Sequence, residues 1–205
     1  MRILILGDSF AEHSDGWPST LQRLLGPNAE VIVRAQGGTG IYYAYRRLVE
    51  QKIDYDFYLV LVSAYHRLFI NDDLSSNANY CSNATEEQRT AVSYYYQHLY
   101  SDDYHRLTHS LILKEMRELI GDKPNLFIPC NKKDVSLLEH PFYLIEMENR
   151  ESELIGTRMN RVSHLRKNHL LPINNDLLAI YFRDMILYGK SKISVKDIRP
   201  PPYIE

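Results

Sequence analysis

Three short apolar runs, each stopping at small or polar residues, limit this chain to very few architectures. Arg2 to Leu6 (RILIL), Glu30 to Arg34 (EVIVR) and Phe57 to Val62 (FYLVLV) have the length and β-branched character of buried strands. Between them apolar residues recur at helical spacing. Trp17, Leu21, Leu24 and Leu25 precede a stop at Gly26-Pro27, and Tyr45, Leu48 and Val49 point inward from a helix expected over 41–52. Strands alternating with helices at this rhythm predict βαβ units and a mainly parallel sheet. The unbroken apolarity of 57–62 predicts a central strand covered on both faces. Ligands of such sheets bind outside the carboxyl ends of the strands, so the residues that follow each run carry the functional signal.

After the first run comes Gly7-Asp8-Ser9. A strand that breaks there and leads to a helix lifts the serine hydroxyl out at the edge of the sheet; the same residues also serve as an ordinary cap or turn. The second run leads into Ala35-Gln36-Gly37-Gly38-Thr39-Gly40. Three uses fit that turn: a tight strand-to-helix connection, a cradle for a phosphate, or a backbone N–H offered to an oxyanion. It matches neither GxGxxG nor GxxxxGK[ST], which weakens the nucleotide use. The third run ends in Ser63-Ala64-Tyr65-His66-Arg67, again polar groups at the carboxyl edge.

Downstream, residues 71–85 are polar and rich in turn formers and read as an exposed loop. Thr85 followed by Glu86, Glu87 and Gln88 predicts a helix start, with a helix running to about Tyr100. Another is expected from Asp102-Asp103 to near Gly121, then a fourth strand over 125–129 (NLFIP). The stretch 131–168 is the least legible, with 142–147 (FYLIEM) as a candidate fifth strand or a strand-like insert on a long loop. Pro172 opens a last helix that Gly189 stops, and a tail ending in Pro200-Pro201-Pro202 follows as a solvated extension or an arm for a partner. The expected organisation is one domain over 1–189 and a C-terminal extension over 190–205.

Composition narrows the function. With 205 residues, 44% hydrophobic and 24% charged, the chain can build a real core. A formal charge of −2 gives no basic field for nucleic acid. The 2 cysteines, Cys81 and Cys130, suggest neither a disulfide framework nor a metal pattern, and the histidines lack ligand spacing, so no metal is expected. No stretch reaches transmembrane length and the first run is too short for a signal peptide, so a cytoplasmic protein away from the membrane is expected. The 16 tyrosines cluster at 42–45 and 94–96; half-buried packing is the ordinary use of such clusters, sugar-binding or subunit faces the special one.

Taken together, Gly7-Asp8-Ser9-Phe10, Gln36-Gly37-Gly38-Thr39-Gly40, and His169 followed by Leu-Leu-Pro-Ile-Asn-Asn and Leu177-Leu178-Ala179 resemble the blocks of the SGNH (GDSL-type) hydrolases. The resemblance covers most of the chain. It implies a flavodoxin-like three-layer α/β/α sandwich with a mainly parallel sheet, and a hydrolase acting on ester bonds without a cofactor. It implies Ser9 as nucleophile, His169 as general base and the Gly37 N–H as an oxyanion donor. Two departures accompany it. The family's third block is usually Gly-x-Asn-Asp, whose Asn is an oxyanion donor; here Ser63, His66 or Arg67 would have to serve, and Ser63 and Arg67 are carried as candidates. The family's Asp three residues before the histidine is Arg166 here, which leaves the acid absent, moved (Asp134 and Glu139 are remote candidates) or replaced by a carbonyl. His164 is the rival base, without a Pro-led helix directly after it.

The reading that follows is a serine-dependent carboxylic ester hydrolase with small acyl ester substrates, O-acetyl groups on carbohydrate among them. The alternatives are a catalytically degenerate relative that binds a glycan or protein partner, and a flavodoxin-like nucleotide or flavin binder using 37–40.

Overall fold

A computed structural model describes residues 1–69, 84–129, 149–151, 166–193 and 195–198. The expected strand over 142–147, most of the expected loop over 71–85, Asp134, Glu139 and His164 lie outside these residues. Four strands form one sheet: β1 (Arg2–Gly7), β2 (Glu30–Ala35), β3 (Phe57–Val62) and β4 (Asn125–Pro129), in the order β2-β1-β3-β4 with every neighbouring pair parallel. That order is the flavodoxin-like winding, with its reversal of direction beside β1. The register pairs Gly7 with Ala35 and Leu6 with Val60, so the three strand ends that carry the candidate motifs come out at the same edge.

Helices α1 (Trp17–Leu25) and α5 (Pro172–Tyr188) cover one face, α2 (Ile41–Val49) and α4 (Asp102–Ile120) the other. Strand side chains alternate between the two cores. Ile3, Ile5, Leu59, Leu61 and Ile128 pack with Trp17, Leu21, Leu178 and Phe182; Leu4, Leu6, Val60, Val62 and Phe127 pack with Ile41, Ala44, Leu113 and Met116. Both faces of β3 are therefore dry, which is why its sequence has no polar alternation. Gly7 permits the tight approach of β1 to β3: a Cβ there would lie 2.8 Å from that of Leu61. Beyond α5, Ile193 and Ile198 return to the core under α1 and α5.

Two helices differ from expectation. Helix α2 ends at Val49 rather than 52, where Arg46 and Arg47 both pair with Glu50 and Gln51 folds back to the Arg47 carbonyl. Its buried face is Ile41, Tyr43, Ala44 and Leu48, whereas Val49 is 55% exposed. The helix from Thr85 is α3 (Glu86–Tyr94), started by the full Thr85/Gln88 capping box, and it widens into a π-helical turn over Tyr95–Leu99. The Tyr100 N–H donates to the Tyr95 carbonyl at 2.8 Å, and the hydroxyls of Tyr95, Tyr96 and Tyr100 meet His105 Nε2, the His66 carbonyl and Asp102 respectively.

Candidate active site

Ser9 and His169, 160 residues apart in sequence, meet at the carboxyl edge of the sheet with Oγ and Nε2 2.6 Å apart. Each is held by local chemistry. The Asp8 side chain accepts the Phe10 N–H at 3.2 Å and the Asp8 carbonyl accepts the Ala11 N–H at 2.9 Å, closing a turn that presents Ser9. Phe10 is buried, its carbonyl takes the Trp17 indole N–H at 2.5 Å, and its ring stacks on the imidazole of His169 with centroids 4.4 Å apart. With His169 as its Nδ1–H tautomer, the Ser9 hydroxyl donates to Nε2. That is the arrangement in which a histidine can take a serine's proton.

His169 sits in a two-residue hairpin. Lys167 and Leu170 exchange backbone hydrogen bonds of 2.8 and 3.0 Å, and both residues between them are left-handed, Asn168 at φ 50° and His169 at φ 69°. This is the type I′ geometry, in which asparagine is favoured at the first position and glycine, rather than histidine, at the second. A left-handed non-glycine costs about 1 kcal/mol or more, and such strain collects at functional positions. Pro172 then opens α5 directly behind the turn.

The glycine-rich segment turns back beside Ser9: Gln36 N–H donates to the Gly7 carbonyl at 3.3 Å, and Thr39 returns to the Gln36 carbonyl through both N–H and hydroxyl. Gly38, at φ +75°, occupies the position that a type II turn reserves for glycine. A Cβ on Gly37 would come within 2.4 Å of a Glu12 carboxylate oxygen, so the glycine lets the Glu12 side chain, from the segment that follows Ser9, pack against this turn. Among the described residues the N–H groups of Ser9 and Gly37 have no hydrogen-bond acceptor.

Arg67 joins all three strand ends. Its Nη1 donates to Asp8 Oδ2 at 2.8 Å and to the Thr39 carbonyl at 3.0 Å, and its backbone lies against Gly40. The side chain is 16% exposed, and among the described residues its Nε and Nη2 meet no acceptor. Ser63 is placed differently: it is 2% exposed and its carbonyl is taken by His109 Nε2 at 3.0 Å.

The segment from Ser63 to Arg67 is fixed from the other side by a network the sequence did not reveal. Besides His109 on Ser63, His105 Nδ1 lies 3.3 Å from the Tyr65 carbonyl and the Tyr96 hydroxyl donates to the His66 carbonyl at 2.7 Å. Asp102 accepts from the Tyr65 and Tyr100 hydroxyls and from Arg106. The hydrogen bond from Arg106, followed by that from Tyr65, holds the Asp102 carboxyl down at about 2. Most tyrosines of the 94–96 cluster thus brace a loop, although Tyr94 itself is 59% exposed.

Burial pushes His109 below its ordinary pKa and outweighs the bond from Nε2–H to the Ser63 carbonyl, which favours the protonated ring. A histidine depressed in the folded state supports stability above its unfolded value and loses that support as pH falls toward its folded value. The melting temperature should therefore drop between pH 7 and 5, and His109→Leu should flatten that drop. The same substitution should cost about 1–3 kcal/mol at pH 7 by stranding the Ser63 carbonyl, as denaturant titration at both pH values would show.

Arg166, three residues before His169, pairs at 2.9 Å with Glu151, a fully buried carboxylate in the helical segment 149–151. Glu151 also accepts the Leu171 N–H at 2.8 Å and the Asn174 amide at 2.6 Å, so it holds the start of α5. Burial outweighs these attractions and pushes its carboxyl above the ordinary range.

No family model and no curated protein matches the chain. Solved structures similar to it include a lipase from a goat rumen metagenome, 16% identical with a TM-score of 0.49, covering 93% of this chain and 99% of that one. An acetyl xylan esterase is 16% identical with a TM-score of 0.36, covering 88% and 96%. A psychrotrophic esterase from Pseudoalteromonas, in a structure inhibited by monoethylphosphonate, is 16% identical with a TM-score of 0.37, covering 92% and 94%. Among the described residues no helix is long and apolar enough to cross a membrane.

Proposed function

We propose that this chain is a serine-dependent carboxylic ester hydrolase of the SGNH type. The observation that carries the reading is the 2.6 Å approach of Ser9 Oγ to His169 Nε2 at the ligand-binding edge of a doubly wound sheet. Ser9 attacks the acyl carbon while His169 takes its proton, and the carbonyl oxygen becomes an oxyanion. The N–H groups of Ser9 and Gly37 receive that charge, each donor worth roughly 3 kcal/mol of barrier. His169 returns the proton to the departing alcohol, leaving acyl-Ser9. Water, deprotonated by the same imidazole, then releases the acid and restores the hydroxyl.

In this reading Arg67 fills the place of the family's third-block Asn. Ser63 is the weaker candidate, since it is deeply buried and its carbonyl is committed to His109. Substitution of Arg67 by Met should lower kcat for p-nitrophenyl acetate about 100-fold or more with a small change in KM. An effect confined to KM would instead assign Arg67 to substrate binding. The substrates proposed are small acyl esters, O-acetylated carbohydrate among them, with no cofactor or metal in the reaction.

The test is labelling of the purified protein with a fluorophosphonate probe and mapping of the adduct, alongside turnover of short-chain p-nitrophenyl esters. A phosphonylated Ser9 supports the reading. An unlabelled, inactive protein rejects it in favour of a degenerate relative that binds without hydrolysing.

A further inference from the structure

We propose that Asn168 is a positioning residue whose buried carboxamide clamps the backbone of His13 and so sets His169 within reach of Ser9. The inference rests on the Ser9–His169 reading above. In most type I′ turns the asparagine faces water and is chosen for its tolerance of positive φ. Here Asn168 is 1% exposed and reaches across 155 residues of sequence. Its Oδ1 accepts the His13 N–H at 2.7 Å and its Nδ2 donates to the His13 carbonyl at 2.9 Å. Both polar ends are therefore used on one peptide segment, in the manner of a strand pairing made by a side chain.

The segment gripped is the one that carries the nucleophile. His13 closes the loop that begins at Asp8 and Ser9, and the Gly16 N–H returns to the His13 carbonyl at 3.0 Å. Gly16 leaves the space the clamp occupies: a Cβ there would lie 2.4 Å from Asn168 Nδ2. From beneath, Asn175 fastens the same hairpin. Its Nδ2 donates to the carbonyls of Lys167 and Leu170 at 2.9 and 2.7 Å, and its Oδ1 accepts the Trp17 N–H at 3.1 Å. Two buried carboxamides thus tie the turn bearing the base to the loop bearing the nucleophile, at His13 and at Trp17. Asn168 is the one adjacent to His169, so its grip fixes the Cα from which the imidazole extends. Reactive geometry is sensitive at this scale, a displacement of about 1 Å costing on the order of 100-fold in rate.

Asn168→Gly keeps the left-handed backbone and removes the clamp, while Gly16→Ala crowds the clamp and leaves Asn168 in place. Assayed well below each variant's melting temperature, both should lower kcat for p-nitrophenyl acetate about 30- to 100-fold with KM nearly unchanged. Fluorophosphonate labelling should slow in parallel. Asn168→Asp keeps the bond from the His13 N–H but cannot donate to its carbonyl, and should fall between wild type and Asn168→Gly. Folded variants that keep wild-type kcat and labelling overturn the proposal and leave Asn168 a purely structural tie. If wild type neither labels nor turns over esters, the hydrolase reading fails separately. The clamp is then judged by the imidazole nitrogen NMR shifts of His169, assigned with His169→Gln: they should move in Asn168→Gly, and unchanged shifts refute it.

Discussion

Ser9→Ala is expected to hydrolyse p-nitrophenyl acetate with a kcat lowered about 10⁴-fold or more. His169→Ala should lose about as much, and the double variant little further, because a nucleophile and its base act as one unit. Without the imidazole 2.6 Å away the serine hydroxyl stays protonated and weakly nucleophilic, and without the hydroxyl the imidazole has nothing to activate. On the proposed mechanism the residual rate comes from the proposed oxyanion donors, which both variants retain. Melting temperatures should change little in Ser9→Ala, since that hydroxyl is half-exposed and bears no part of the core. Steady-state kinetics on the single and double variants, checked by circular dichroism, measure this directly. Effects that multiply in the double variant would show the two side chains working independently and would remove the basis for acyl transfer.

Much of this arrangement was legible in the sequence, for identifiable reasons. The strand runs are short, apolar and bounded by glycine or polar residues, and a buried parallel sheet tolerates nothing else; all four strands fall where that pattern puts them. Gly7-Asp8-Ser9 and His169-to-Asn175 could be located because a strand end and a Pro-led helix start are local features. What joins them is not local. Asn168, Asn174 and Asn175 are buried polar groups satisfied by partners far away in the chain or on Glu151, and polarity by itself reads as exposure. One faint signal existed: two asparagines within the first turn of a largely apolar helix are poor helix formers that need a reason to be there. The bracing of the third strand end by His105, His109 and Tyr96 had no comparable mark, since side-chain bonds to loop carbonyls leave no spacing pattern. Helix α2 shows the opposite failure, a periodicity read correctly as helical but phased on Val49 when the core takes Ile41, Ala44 and Leu48.

Glu151→Ala should be the most destabilising single change among the described residues outside the apolar core, costing about 3–5 kcal/mol. The carboxylate is fully buried and three partners converge on it: Arg166 at 2.9 Å, the Leu171 N–H at 2.8 Å and the Asn174 amide at 2.6 Å. Removing it leaves a guanidinium only 10% exposed without this carboxylate, and withdraws an acceptor from the first turn of α5. The pair itself need not be favourable. Burial dominates the Glu151 carboxyl and raises its pKa, so the folded protein holds that proton to a higher pH than the unfolded chain does. A carboxyl raised in this way contributes fully below its unfolded value and loses that contribution as pH rises through the folded one. The stability gap between wild type and Glu151→Ala should accordingly be widest in mild acid and narrow toward neutrality. A Glu151→Leu/Arg166→Met double variant removes both charges together and should recover most of the loss, as apolar replacements of buried ion pairs do. Urea titrations of wild type, the single variants Glu151→Leu and Arg166→Met, and the double variant close the cycle and give the coupling energy. If Glu151→Leu and Arg166→Met simply add, the two charges are not coupled, and the helix start is held by the Leu171 and Asn174 bonds alone.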